Sequence, residues 1–140
     1  MADRLDIPLY FPERHPFNPI PILRLCIAAG SSKNTVDSIF KCIWEEGLVG
    51  DDPENWNAFC SAVGLSVSEA NELISKTEIK SELKLNGENA IEQGVYGVPT
   101  LLVDGHLFWG YDSTNLALDY LVNPGLFDSP NMKRLEALPD

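Results

Sequence analysis

Residues 100–109, TLLVDGHLFW, constrain the fold of this chain more than any other segment. Two apolar runs flank Asp104-Gly105, and a two-residue Asp-Gly connection between such runs is a strong signal for a β-hairpin. Val98-Pro99 stands directly before the first run, where proline removes a backbone donor and where cis X-Pro bonds form tight turns. Strands that are apolar at consecutive positions are typical of a sheet covered on both faces. The segment therefore predicts a buried hairpin entered through a proline turn.

Helical periodicity dominates the rest of the chain, and it places Phe40 on the apolar side of the second predicted helix and Ile91 on that of the fifth. Predicted helices begin at Asn18, Asn34, Asp52, Ser66 and Thr77, and a last helix begins near Asp112. Ser66 and Glu69 have the spacing of a capping box. The proline-rich residues 1–17 are interpreted as an extended connector, and Pro124-Gly125 is expected to end the last helix before a mostly polar tail.

A two-stranded ribbon on its own raises a physical difficulty, because it is marginally stable and leaves both edges unpaired. Residues 9–11 are the only other strand candidate, and prolines bracket them. Helices can cover the faces of a hairpin but cannot satisfy its edges. We therefore expect another segment, or a second copy of the chain, to pair with it.

Composition excludes several classes of partner. The net charge of −11 over 140 residues argues against binding to nucleic acid or to an anionic membrane. No leader-like or membrane-spanning apolar run is present, and three cysteines without a C-x-x-C pair favour a reducing, cytoplasmic location.

Cys26, Cys42 and Cys60 are expected to be buried thiols, and Trp44 and Trp56 are expected to be core side chains. His15 and His106 are expected to be solvated and not catalytic, and no metal-ligand cluster or catalytic triad has recognisable spacing.

A family resemblance rests on two motifs. GVYGVPTLLVDGHLFWGYD, residues 94–112, and the upstream LYFPERHPFNPIPILRL resemble the 2-hydroxychromene-2-carboxylate isomerases. These belong, with the kappa-class glutathione transferases, to the DsbA-like thioredoxin superfamily. The resemblance implies an α/β fold: the C-terminal part of a DsbA-like thioredoxin fold, with a hairpin, flanking helices and an α-helical insertion domain, predominantly helical in this chain. It places a connector at residues 1–17, the helical insertion at 18–76, and the thioredoxin-like part at 77–140.

The resemblance also implies a binding site. A cis Val98–Pro99 bond would expose the backbone groups of Val98 to glutathione, while Trp109, Gly110, Tyr111 and Asp112 would hold its γ-glutamyl end. Asp112 would meet the ammonium group. In the alternative interpretation these residues have structural roles only: Asp112 is a helix N-cap, Tyr111 is a surface residue and Trp109 belongs to the core. The family often has arginine after this aspartate, where the present chain has Ser113.

The implied function is a glutathione-dependent isomerase that interconverts 2-hydroxychromene-2-carboxylate and trans-o-hydroxybenzylidenepyruvate in aromatic catabolism. Its partners would be glutathione and a small aromatic substrate. The family's opening strand–helix–strand unit, which carries the thiol-activating serine or a C-x-x-C, is expected to be missing here, so that no catalytic residue is assigned and the chain has little activity alone. Two alternatives stay open: a DsbA-like thiol–disulfide oxidoreductase fragment, and a non-catalytic helical module that forms a homodimer or pairs with a missing N-terminal segment.

Overall fold

The computed structural model describes residues 8–136. The chain divides into two compact units, the first ending at Gly87 and the second beginning at Glu88. This division lies inside helix α5, Thr77–Glu92, whereas the sequence placed a boundary at residue 77. None of the α5 side chains is buried, and Ile91, predicted on its apolar side, is 73% exposed. Among the described residues, no helix combines the length and the apolar character needed to cross a membrane.

Four helices build the first unit around one hydrophobic core. They are α1 Ile20–Ala28, α2 Lys33–Trp44, α3 Trp56–Ala62 and α4 Val67–Ser75. The core contains Ile22, Leu25, Ile39, Cys42, Ile43, Phe59, Cys60 and Ala70. Phe40, which the periodicity placed on the inner face of α2, is instead 56% exposed. Trp44 and Trp56, predicted as core, are only half-buried at its margin.

Local hydrogen bonds fix where these helices begin. The Ser66 hydroxyl accepts from the Glu69 N–H and the Glu69 carboxylate accepts from the Ser66 N–H, which forms the predicted capping box. The predicted start of α3 at Asp52 is wrong. The Asp52 carboxylate accepts from the N–H of Glu54 at 2.9 Å, and this local turn delays the helix until Trp56.

An ion pair between Arg14 and Asp51 joins the connector before α1 to the rest of the first unit. Arg14 donates to both carboxylate oxygens of Asp51, at 2.7 and 3.2 Å, and the N–H of Asn18 donates to the same group at 3.0 Å. The Arg14 hydrogen bond, followed by that from Asn18, lowers the pKa of Asp51. Residues 9–11 form no strand, and among residues 8–136 their backbone bond is the one that the N–H of Tyr10 donates to the carbonyl of Trp44.

The predicted hairpin is present in the second unit. Strand β1, Thr100–Val103, pairs antiparallel with β2, His106–Trp109, and Thr100 lies opposite Trp109. Directly opposed residues share a face, so one face carries Leu101, Val103, His106 and Phe108, and the other Thr100, Leu102, Leu107 and Trp109. In the described part of the chain the sheet has these two strands only.

Only one face of the hairpin packs into a core. Phe108 is 3% exposed and packs with Ala117 and Tyr120 of helix α6, Thr114–Val122. On the other face Trp109 is 52% exposed and Leu102 43%. The prediction of strands covered on both faces is therefore wrong for the described residues, because α6 supplies a covering layer on one side.

Helix α6 ends at Val122, just before Pro124-Gly125 as predicted, and residues 124–136 follow it. They form a 3-10 helix, Pro124–Asp128, and helix α7, Pro130–Glu136. Phe127 stacks on Tyr120 with ring centroids 5.3 Å apart and lies 4.9 Å from the ring of His106. His106 is thus exposed, as predicted, but one side of its ring is in aromatic contact.

Candidate functional site

The proline turn, residues 96–99, connects α5 to β1. The peptide bond between Val98 and Pro99 is cis, as the resemblance implies. The Thr100 hydroxyl donates to the carbonyl of Gly97 at 2.6 Å and closes the turn against the start of β1. This hydrogen bond holds the turn at the end of the hairpin at which β2 ends.

The backbone of Val98 is the polar group that this turn leaves available. Its side chain is 86% exposed, and no residue in the described range 8–136 hydrogen-bonds its N–H or its carbonyl. The neighbouring carbonyl of Pro99 is occupied, because it accepts from the N–H of Gly110 at 2.8 Å. Within the described residues, Val98 therefore presents an unpaired N–H and an unpaired carbonyl directly beside the occupied carbonyl of Pro99.

Gly110 carries the chain from β2 toward α6. Its φ of +80° lies in the region that favours glycine, and it precedes a 3-10 turn, Tyr111–Ser113. The Ser113 hydroxyl lies 2.5 Å from the Trp109 carbonyl and 3.1 Å from that of Gly110, and donates its proton between them. Ser113 therefore fixes this corner from within the chain, at the position where the resembling family often has arginine.

The structural alternative is wrong for Asp112 and Trp109, whereas Tyr111 lies at the surface as that alternative predicted. Asp112 caps neither the 3-10 turn nor α6, since both begin without a side-chain cap hydrogen bond, and its carboxylate is exposed. Trp109 is half-exposed and is not a core residue. Tyr111 is 62% exposed and lies at the surface. The hairpin closure brings Val98, Pro99, Trp109 and Gly110 together, and Tyr111 and Asp112 follow directly along the chain.

Tyr96 is a residue of this site that the sequence analysis did not single out. Its ring centroid lies 5.3 Å from that of Trp109 at an interplanar angle of 53°. The intervening Gly97 leaves the room for this contact, since a Cβ there would lie 2.4 Å from Trp109 Nε1. The sequence signal that could have identified Tyr96 is the glycine that directly follows this aromatic residue in the turn.

The site is acidic or neutral rather than basic. Across residues 94–113 the ionisable acids are Asp104 and Asp112, and the sequence contains no lysine or arginine there. Asp112 supplies the exposed carboxylate at the corner after β2.

The three free cysteines belong to the first unit. Cys42 and Cys60 are buried as predicted, whereas Cys26 is only half-buried, which corrects that part of the prediction. Burial is the main factor that raises the pKa of both the Cys42 and the Cys60 thiol. Neither thiol is suited to act as a thiolate nucleophile near neutral pH.

Comparison with known proteins places the chain in a family. Residues 1–122 match the model described as the DSBA-like thioredoxin domain. The chain belongs to this family. Helices flanking a hairpin that is entered through a cis-proline turn agree with the fold class predicted from the sequence.

Two similar proteins bear the same name. A 2-hydroxychromene-2-carboxylate isomerase from Sphingobium xenophagum is 26% identical over 88 residues, which is 63% of this chain and 45% of that protein. A solved structure of a 2-hydroxychromene-2-carboxylate isomerase superposes with a TM-score of 0.68 at 25% identity, over 91% of this chain and 65% of that one. The chain thus spans less than two thirds of the length of each.

Proposed function

We propose that this chain contributes the glutathione-holding part of an isomerase site of the 2-hydroxychromene-2-carboxylate type. The observation that carries the proposal is the exposed residue Val98, whose N–H and carbonyl are both unbonded within the described residues. An extended peptide can add to such a backbone as a short strand, with one N–H donated and one carbonyl accepting. The cysteinyl residue of glutathione has both groups to offer.

The second anchor is at the corner after β2. Gly110 has no Cβ to obstruct a ligand, and nothing lies within 4 Å of where one would be. Asp112 is exposed and does not cap a helix, so its charge is available for the ammonium of the γ-glutamyl end. Pro99, Trp109 and Tyr111 complete the set of proposed contacts. The similarly named relatives support this assignment at the level of the family.

The proposed reaction is an addition followed by an elimination. Glutathione loses its thiol proton, and the thiolate forms a C–S bond to the conjugated double bond, whose electrons move into an enolate. The acceptor is the ring-opened form, in which the hemiketal C–O bond of the chromene has broken to give a phenol and a ketone. Rotation about the resulting single bond and expulsion of the thiolate restore the double bond in the other geometry. No net oxidation occurs and glutathione is regenerated. An enzyme assists by lowering the pKa of the thiol and by stabilising the enolate.

The resemblance maps the thiol-activating serine onto no residue of this chain. Binding of glutathione is therefore proposed for these 140 residues by themselves, and turnover is expected to be slow. A cytoplasmic location fits the supply of reduced glutathione.

A second candidate is a thiol–disulfide oxidoreductase, which the DSBA-like family match favours. Its chemistry requires a reactive dithiol, and the sequence holds no C-x-x-C. Thiol–disulfide exchange would then fall to single cysteines, two of which are buried with raised pKa values. The isomerase-type site is preferred because both similar proteins bear that name.

Titration of the ¹⁵N-labelled chain with reduced glutathione tests the proposal by NMR. We expect chemical-shift changes at the amides of Val98, Gly110, Tyr111 and Asp112 at millimolar glutathione. The variant Asp112→Asn should weaken binding about twofold to fivefold, as for loss of an exposed ion pair. Asp119→Asn, an exposed aspartate on α6, is the matched control and should leave the affinity unchanged. Shifts that are absent, or that occur only outside residues 94–113, would reject the glutathione site.

A further inference from the structure

The end of the hairpin next to Val98 carries two large aromatic side chains that do not enter the protein core. Tyr96 is 75% exposed and Trp109 52% exposed, although their rings contact each other. Phe108, the neighbour of Trp109 on the same strand, is 3% exposed on the opposite face. We call Tyr96 and Trp109 the aromatic platform.

Backbone geometry places the aromatic platform beside the proposed ligand position. Trp109 is the strand partner of Thr100, which follows Pro99, and the N–H of Gly110 is bonded to the Pro99 carbonyl at 2.8 Å. A peptide paired with Val98 would therefore lie next to the side of the hairpin that Trp109 occupies. Tyr96, the first residue of the proline turn, contacts the indole ring of Trp109 with its own ring.

The two faces of the hairpin differ in the room they offer. Along a strand, side chains alternate between faces, so the cysteinyl side chain of a paired glutathione must project toward one of them. On one face Phe108 is covered by Ala117, Tyr120 and Phe127, while Leu101 beside it stays exposed. The face of the aromatic platform offers the larger exposed aromatic surface to a group attached to the sulfur atom.

On this basis we propose that Tyr96, with Trp109, binds the aromatic ring of the group attached to the glutathione sulfur. The inference rests on the proposed function and goes beyond it, because it assigns Tyr96 as a residue that selects aryl substrates. Tilted aromatic pairs present both a ring face and a ring edge, and both are favourable contacts for a third ring. The absence of lysine and arginine in residues 94–113 leaves this contact to apolar and aromatic interactions.

Calorimetric titration of the full chain with S-methylglutathione and S-benzylglutathione tests this inference. Burial of a phenyl ring should make the benzyl conjugate bind roughly tenfold more tightly than the methyl conjugate. Tyr96→Leu should reduce that ratio to about threefold or less, because the benzyl conjugate loses more affinity than the methyl conjugate does. Tyr96→Phe keeps the ring and should retain the preference. Tyr10→Leu, a comparable exposed tyrosine in the first unit, is the matched control and should behave as the unmodified protein does.

A spectroscopic readout separates ring contact from a general change in stability. The benzyl conjugate should shift the Trp109 indole N–H resonance upfield through its ring current, and the methyl conjugate should not. Equal affinity of the unmodified protein for both conjugates would overturn the aromatic platform and leave the glutathione site intact. Failure of both conjugates to bind would overturn the glutathione site and this inference with it. Equal weakening of both by Tyr96→Leu would assign Tyr96 a structural role and overturn the selectivity.

Discussion

A β-carbon placed on Gly97 would lie 2.4 Å from Nε1 of Trp109. This close approach of the turn backbone to the indole explains why the turn carries glycine at this position. The contact joins the two ends of the candidate site, because Gly97 directly precedes the exposed residue Val98 and Trp109 directly precedes the corner at Gly110.

Gly97→Ala should therefore displace Trp109 and destabilise the hairpin end. Overpacking of this kind costs about 1–3 kcal/mol of unfolding free energy, measured by urea denaturation. Gly87→Ala is the control, because Gly87 lies within helix α5 with open space around it. There the extra methyl group should stabilise the chain by about 0.5–1 kcal/mol. Equal effects of the two substitutions would show that the Gly97 contact is unimportant.

The first unit should depend strongly on one aromatic side chain. Phe59 is completely buried, and Phe59→Ala is expected to lower the unfolding free energy by about 3–5 kcal/mol because it leaves a cavity. Phe40→Ala removes the same group from a position that is 56% exposed and should change the unfolding free energy by less than about 0.5 kcal/mol. Similar midpoints for the two variants in chemical denaturation would contradict this description of the core.

Acid should weaken the attachment of the connector to the first unit. The pKa of Asp51 is lowered in the folded protein, mainly by the Arg14 hydrogen bond, so below about pH 5 the unfolded chain binds more protons than the folded one. Stability is therefore present above the unfolded-state pKa and is lost as the pH falls through the folded-state pKa. Asp51→Asn should flatten this acid limb in thermal melts between pH 7 and pH 3. Glu54→Gln, at an exposed carboxylate nearby, should leave the limb as steep as in the unmodified protein.

The thiols should react in an order set by burial. Cys26 is half-buried, whereas Cys42 is 3% exposed and Cys60 is completely buried. Iodoacetamide at pH 8 should alkylate Cys26 first, and the other two only after denaturation, because burial blocks access and raises their pKa values. Peptide mapping by mass spectrometry gives the order. Rapid modification of Cys60 in the native protein would contradict the packing of α3.

Local signals in the sequence were sufficient for much of the secondary structure. The Asp-Gly connection placed the hairpin at the residues where it occurs, and the Ser66–Glu69 spacing placed the start of α4. Both depend on contacts within four residues along the chain. The motif of residues 94–112 also located the proline turn and the corner at Gly110, because those backbone conformations require particular residues at particular spacings.

Tertiary packing decided which apolar residues are buried. Periodicity treated both hairpin faces alike and assigned Phe40 to a core, but each surface is buried only where another element covers it. Phe127 packs beside Phe108, although Leu126 and Phe127 belong to no helical repeat in the sequence. A short apolar pair of this kind is buried because of where the fold places it, and no periodic pattern predicts that. The contact of Tyr96 with Trp109 likewise joins residues thirteen positions apart across the turn, and only the folded hairpin brings their rings to 5.3 Å. The sequence determined the local backbone geometry of this protein, and the packing of distant segments determined which side chains that geometry leaves free to bind.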